Sequence, residues 1–192
     1  AAMAARCCTL VDVAGRPLPT RCDIAEHTHD LYAAWLARDL VWTPGAAVFR
    51  RAPLLESGGF PEDIGPAADY AVYLRFARTG SVVVDPRSVV RYRQHAWNMS
   101  RDSARMLEAT LRVLDEEAPH VPPRYRTRLR DGRHSWCTFY GEQIIQELRI
   151  DLRAGQLGLP QLRTVGVLLR LCQGLALEHV TRKLGRLARG HR

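Results

Sequence analysis

The sequence has almost no lysine. Lys183 is the single lysine among 28 basic residues, so the formal charge of +8 is carried by arginine. That balance permits contact with phosphates, anionic lipid or nucleic acid, but it selects none of them. Cysteine is sparse as well. Cys7, Cys8, Cys22, Cys137 and Cys172 are odd in number and show no CxxC spacing. The expectation is therefore neither a disulfide framework nor a zinc site, and a reducing, cytoplasmic setting. No uncharged stretch approaches the ~18 apolar residues of a membrane span, and residues 1–10, interrupted by Arg6, lack the build of a signal peptide. There is no internal repeat and no nucleic-acid-binding motif, and aromatic and basic residues do not interleave, so no nucleic-acid partner is expected.

What is present is a chain of 192 residues, 46% of them hydrophobic, enough for one domain or one and a half. Residues 7–13 read as a buried strand, with no earlier sequence for it to pair with, so the chain reads as entering mid-fold. Residues 28–36 have helical spacing, and 46–49 form a short strand. A short helix begins at Leu54-Leu55 and ends at Gly58-Gly59, a loop covers 61–67, and a helix covers 68–78 with Val72 and Phe76 inward. Two short strands, 82–84 and 89–92, flank a turn at Asp85-Pro86. Beyond residue 102 the texture is helical. The spacing predicts helices over 106–114, over 124–154 and over about 161–189, with a prolyl linker at 119–123. The long helix shows one face of Tyr125, Leu129, Trp136, Tyr140, Ile144, Leu148 and Leu152, and the last a stripe that includes Leu162, Val165, Leu169 and Cys172. The last two helices suit an antiparallel hairpin.

The stretch from Trp42 to Ser103 carries an ordered set of features. A small-residue strand runs into Phe49-Arg50-Arg51. A Gly58-Gly59-Phe60 turn follows, then a helix opening on Asp69-Tyr70 and continuing to Leu74-Arg75. A valine-rich strand pair closes on Tyr92-Arg93-Gln94-His95 and Asn98-Met99-Ser100. In this order they resemble the C-terminal, acceptor-side half of the catalytic domain of family 2 glycosyltransferases, which have the GT-A fold. The resemblance covers roughly the first half of the chain. It implies an α/β fold with a partial GT-A-like mixed sheet over residues 1–102, followed by a helical C-terminal extension over 103–192.

The resemblance also implies inverting glycosyl transfer from a nucleotide-sugar donor to the hydroxyl of a glycan, lipid-linked or small-molecule acceptor. Asp69 matches the general base. A positioned carboxylate contributes typically ~10²- to 10⁴-fold by giving the acceptor proton somewhere to go, and a place in the first helical turn favours its anion. The alternative is a helix-capping aspartate. Gly58, Gly59, Phe60 and Tyr70 match the acceptor groove, with a helix C-cap as the other reading of the glycines. Arg93 is the match for neutralising the departing diphosphate and His95 for a metal contact, both otherwise surface residues at a strand end.

The sequence departs from the family in two ways. Ala68 stands where the family has Glu before the base. The Asp-x-Asp motif that holds Mg²⁺ or Mn²⁺ is absent, as are the nucleotide-binding units upstream of it. The expectation is a fragment lacking its donor half. The alternative is a non-catalytic interaction module, a transferase remnant with a helical docking tail. Two features stay outside the resemblance. Cys22, His27, His29 and Asp30 fit no zinc spacing and read as a polar lead-in to a helix. The basic residues beyond Val180 fit a peripheral contact with an anionic membrane at its inner face, or a solvated arginine face.

Overall fold

The structure is a computed structural model that describes residues 1–20, 22, 24, 29–95, 98–156 and 158–174. Three strands form one mixed sheet: β1 (Met3–Val11), β2 (Ala47–Phe49) and β3 (Val82–Arg93), in the order β2-β1-β3. β1 is the central strand. It runs antiparallel to β2, with Met3 opposite Phe49, and parallel to β3, with Met3 opposite Val82. The expected strand at 7–13 therefore begins four residues earlier, and later segments supply the pairing that preceding sequence does not.

β3 corrects the expectation of two strands and a turn. Arg6 pairs with Asp85 and Cys7 with Ser88, so Pro86 and Arg87 are an insertion within one 12-residue strand. A proline lacks the N–H for a ladder bond, and a bulge is where a sheet tolerates that loss. Asp85 holds the bulge together. It accepts from Arg87 Nε at 2.9 Å and pairs with Arg6 at 2.9 Å.

Among the described residues six α-helices follow along the chain: α1 (Leu31–Ala37), α2 (Arg51–Glu56), α3 (Ala68–Arg78), α4 (Ser103–Glu117), α5 (Arg126–Arg153) and α6 (Leu159–Leu171). α3 has the bounds that its periodicity predicts, and α1 begins where Asp30 Oδ1 accepts from Ala33 N at 3.0 Å. That cap fits the polar lead-in read from the sequence. The main core packs β1 against α1, α3 and α4 through Met3, Trp35, Val72, Tyr73, Leu74 and Leu114. A second cluster joins α4, α5 and α6 through Leu107, Leu111, Tyr140, Ile144 and Leu168. α4 serves both clusters, since Ala109, Val113 and Leu114 face the first while Met106, Leu107 and Leu111 face the second. A buried Glu117 ties its end to the rest. It accepts from Tyr32 Oη at 2.7 Å and pairs with Arg78 at 3.0 Å.

Three further expectations change. Four of the five cysteines pair, as Cys7–Cys22 and Cys137–Cys172, whose Cα atoms lie 5.6 and 5.5 Å apart; Cys8 is free and buried. This corrects the reading of a chain without disulfides and removes the cysteine argument for a reducing compartment. The apolar face of α5 is buried only through its middle, at Tyr140 and Ile144, and Leu152 emerges into solvent. α6 turns Val167, Leu168 and Cys172 inward and leaves Leu162 and Leu169 exposed. Its contacts with α4 and α5, and the bond from Cys172 to Cys137, choose that face over the expected stripe. No helix among the described residues is long and apolar enough to cross a membrane. The basic segment beyond Val180 lies outside the described residues.

α5 comes unusually close to α1. A Cβ on Gly132 would sit 1.8 Å from the carbonyl oxygen of Leu36, a backbone atom that cannot move aside alone. Gly166 of α6 has nothing within 4 Å of the same position. Gly132→Ala should therefore destabilise the chain by about 3 kcal/mol through overpacking. Gly166→Ala should gain about 0.5–1 kcal/mol from helix propensity. Urea unfolding of the two variants beside the parent checks both signs.

Candidate functional site

The C-terminal end of α1 and the N-terminal end of α3 meet at one hydrogen bond. Tyr70, in the first turn of α3, is fully buried and donates from Oη to the carbonyl of Trp35 at 2.6 Å. The Trp136 indole of α5 in turn donates to Tyr70 Oη at 3.5 Å and packs edge-on against its ring. Around this junction opens a cavity of about 980 Å³. Its walls come from five parts of the chain: Asp39, Trp42 and Thr43 after α1, Phe60 and residues 65–70 leading into α3, Tyr92, Gln94 and residues 99–101 at and after the end of β3, Met106 and Thr110 of α4, and Trp136, Phe139, Tyr140 and Gln143 of α5.

Of the residues matched from the sequence, Asp69, Phe60 and Tyr70 line this cavity. Asp69 is half-buried, and its Oδ1 accepts from the backbone N–H of Tyr70 at 2.9 Å. Phe60 is 42% exposed and meets Phe49 edge-on. Gly58 and Gly59 are not in the cavity wall. They close α2 with φ of +89° and +65°, and Arg75 reaches over from α3 to the carbonyls of Ser57 and Gly59. Both positions need glycine for the left-handed turn, which is the helix-cap reading of the pair. Arg93 also lies outside the wall, donating from Nη1 to Val13 O at 2.5 Å, although its neighbours Tyr92 and Gln94 line it.

His95 shows its backbone N–H bonded to Asn98 Oδ1 at 3.1 Å and is not part of the cavity wall. No three His, Cys, Asp or Glu side chains converge to hold a metal ion among the described residues. In the Cys22–Asp30 stretch, Cys22 is in a disulfide, Asp30 caps α1 and His27 lies outside the described residues. Trp42 is 45% exposed and faces the cavity, while Trp97 lies outside the described residues.

Sequence reasoning missed two things. The first is Asp39, a second carboxylate in the same wall, whose Oδ1 accepts from Val41 N at 3.0 Å. The second is the aromatic wall given by α5. Trp136 and Tyr140 stack with centroids 5.4 Å apart and planes 11° apart, and Phe139, 55% exposed, stands at 4.9 Å from Tyr140. The visible signal for the second was Phe139, an aromatic beside the apolar stripe and off its period. Asp39 carries no local signal beyond its place after a helix.

The two acids share an electrostatic strain. Burial raises the Asp39 carboxyl well above the usual range, and the charge of Asp69 raises it further. Burial likewise raises Asp69, partly offset by the N–H of Tyr70 and by Tyr73. Two buried donors stand beside them. Trp35 Nε1 and Tyr73 Oη have no hydrogen-bond partner among the described residues. Each is near enough to favour the anion of one acid, Trp35 that of Asp39 and Tyr73 that of Asp69, while outside hydrogen-bond geometry.

No family model, no curated protein and no solved structure matches the chain.

The raised carboxyls fix a sign. Between the ordinary carboxylate pKa near 4 and the raised folded values, the folded chain binds more protons than the unfolded one. The stability contributed by this pair is thus full below about pH 4 and is lost as pH rises through the folded values. Asp85, held low by Arg87 and Arg6, acts with the opposite sign only at more acidic pH. The double variant Asp39→Asn/Asp69→Asn should be more stable than the parent near pH 8, and the gain should shrink on descent to about pH 5. Denaturation midpoints across that series measure it; a gain independent of pH would contradict the assignment.

Proposed function

We propose that the chain is the acceptor side of a glycosyltransferase, and that Asp69 is the base that takes the proton of an acceptor hydroxyl. The observation that carries this reading is the position of Asp69. It sits in the first turn of α3 and faces a cavity of about 980 Å³ whose apolar walls are aromatic faces, Trp42, Phe60, Trp136 and Phe139 among them. Aromatic faces bind the C–H surface of a sugar ring, and a carboxylate with a raised proton affinity is a better base than an ordinary aspartate once ionised. The attacking oxygen would displace a nucleoside diphosphate from the anomeric carbon with inversion. Donor binding falls to residues outside this sequence, since it contains no Asp-x-Asp motif. The acceptor classes are those the resemblance implies: a glycan, a lipid-linked sugar or a small hydroxyl compound.

One observation favours the second reading, a non-catalytic interaction module with a helical docking tail. α6 leaves Leu159, Leu162 and Leu169 in solvent at 82%, 67% and 54% exposure. The two readings part on a transfer assay with a panel of nucleotide sugars and Mn²⁺, run on this chain and on any longer form. Asp69→Asn should lower turnover by about 10²- to 10⁴-fold and leave donor binding unchanged. Equal turnover in parent and variant removes Asp69 as the base.

A further inference from the structure

Asp39 is the group in the cavity that the proposed transfer leaves without a role. It follows the C-terminal end of α1, where unsatisfied carbonyls disfavour an anion; Asp69 lies in the first turn of α3, where N–H groups favour one. The two acids share one cavity wall, and each has a fully buried, unpartnered donor beside it, Trp35 Nε1 and Tyr73 Oη. Tyr70 and Tyr73 of α3 and Tyr140 of α5 are held neutral by burial. Arg38, which precedes Asp39, and Arg101 are the cations of the wall.

We propose that Asp39 and Asp69 form a carboxylate pair holding one proton, with Asp39 as the acid and Asp69 as the anion, which makes Asp39 a positioning residue for the base. The pair itself stands on the cavity's geometry; its catalytic use rests on the glycosyl-transfer reading. Like charges in one enclosed site cannot both be ionised cheaply, and the opposite helix ends decide which acid keeps the proton. In transfer, Asp69 takes the acceptor O–H proton while the oxygen bonds to the anomeric carbon. The bond from that carbon to the diphosphate oxygen breaks, and its electron pair leaves with the diphosphate. The pair then holds two protons and returns one to water before the next turnover.

The test is a carbon-detected NMR titration of aspartate carboxyls in the full 192-residue chain, from about pH 3 to about pH 9. In Asp69→Asn the Asp39 midpoint should fall by about one pH unit or more, because the charge beside it is gone, whereas in Asp39→Asn the Asp69 midpoint should not fall, because the group replaced is the neutral acid. In the parent, Asp39 should titrate above Asp69. An Asp39 midpoint that stays in place in Asp69→Asn, or an Asp39 that titrates below Asp69 in the parent, overturns the pair. Should Asp69→Asn not fold, the order of the two midpoints in the parent decides alone. Coupled midpoints with no transfer activity in any form overturn the transfer reading and leave the pair; uncoupled midpoints overturn the pair whatever the assays show.

Discussion

The bond from the Tyr70 hydroxyl to the carbonyl of Trp35 is the contact on which the cavity depends. Trp35 lies four residues before Asp39, and Tyr70 directly follows Asp69, so one 2.6 Å bond fixes the separation of two helix ends and of the acids they carry. The bond also satisfies a carbonyl near the end of α1 and a hydroxyl in the core, each of which would cost about 1–3 kcal/mol if left alone. Trp136 closes the same junction from α5. α5 can reach it because Gly132, one helical turn earlier, lets the two backbones touch at Leu36. The geometry of the cavity and the stability of the tail are therefore set at one place.

That dependence changes the meaning of the helical extension. The sequence reads as a catalytic half followed by a helical tail, with a division near residue 102. In the structure α4 contributes to both hydrophobic clusters, and α5 supplies one wall of the cavity. A ligand resting against Asp69 would also rest against Phe139 and Tyr140. If the cavity takes the acceptor of the proposed transfer, selection would fall on α5 as much as on the loop from Phe60 to Ala68, because aromatic faces discriminate by shape and the carboxylates by hydrogen bonding.

Legibility in the sequence followed the range of the interaction concerned. α3 was readable to the residue because its apolar period and the Gly80 that ends it are local. Asp69 was found through the order of neighbouring features. The centrality of β1 was not readable, since both its partners come more than 35 residues later and parallel pairing leaves no turn to mark it. The bulge at Pro86 looked like a turn because proline gives the same local signal in both. The disulfides were invisible for a related reason. Cys137 and Cys172 are 35 positions apart, and only the packing of α6 on α5 brings them together. Asp39 depends on the Tyr70–Trp35 bond, a contact between residues 35 positions apart, and no spacing rule reaches that far.

The cavity concentrates features that a fold alone would be expected to remove. Two buried donors behind it lack partners among the described residues, two acids are held above the usual carboxylate range, and aromatic rings stand half in solvent. Each costs stability, the orphaned donors about 1–3 kcal/mol apiece, against a total of only about 5–15 kcal/mol for a domain. Elsewhere the chain settles comparable groups: Glu117 finds Tyr32 and Arg78, Asp85 finds Arg6 and Arg87, and Arg75 finds two carbonyls. The contrast shows that the packing is able to satisfy polar groups and leaves them unsatisfied in one region. A hydroxyl compound in the cavity would offer the acids a donor, while Trp35 and Tyr73, fully buried and not part of the wall, act only through those acids. The two acids, which weaken the empty fold, are thus the groups through which the cavity would hold such a ligand.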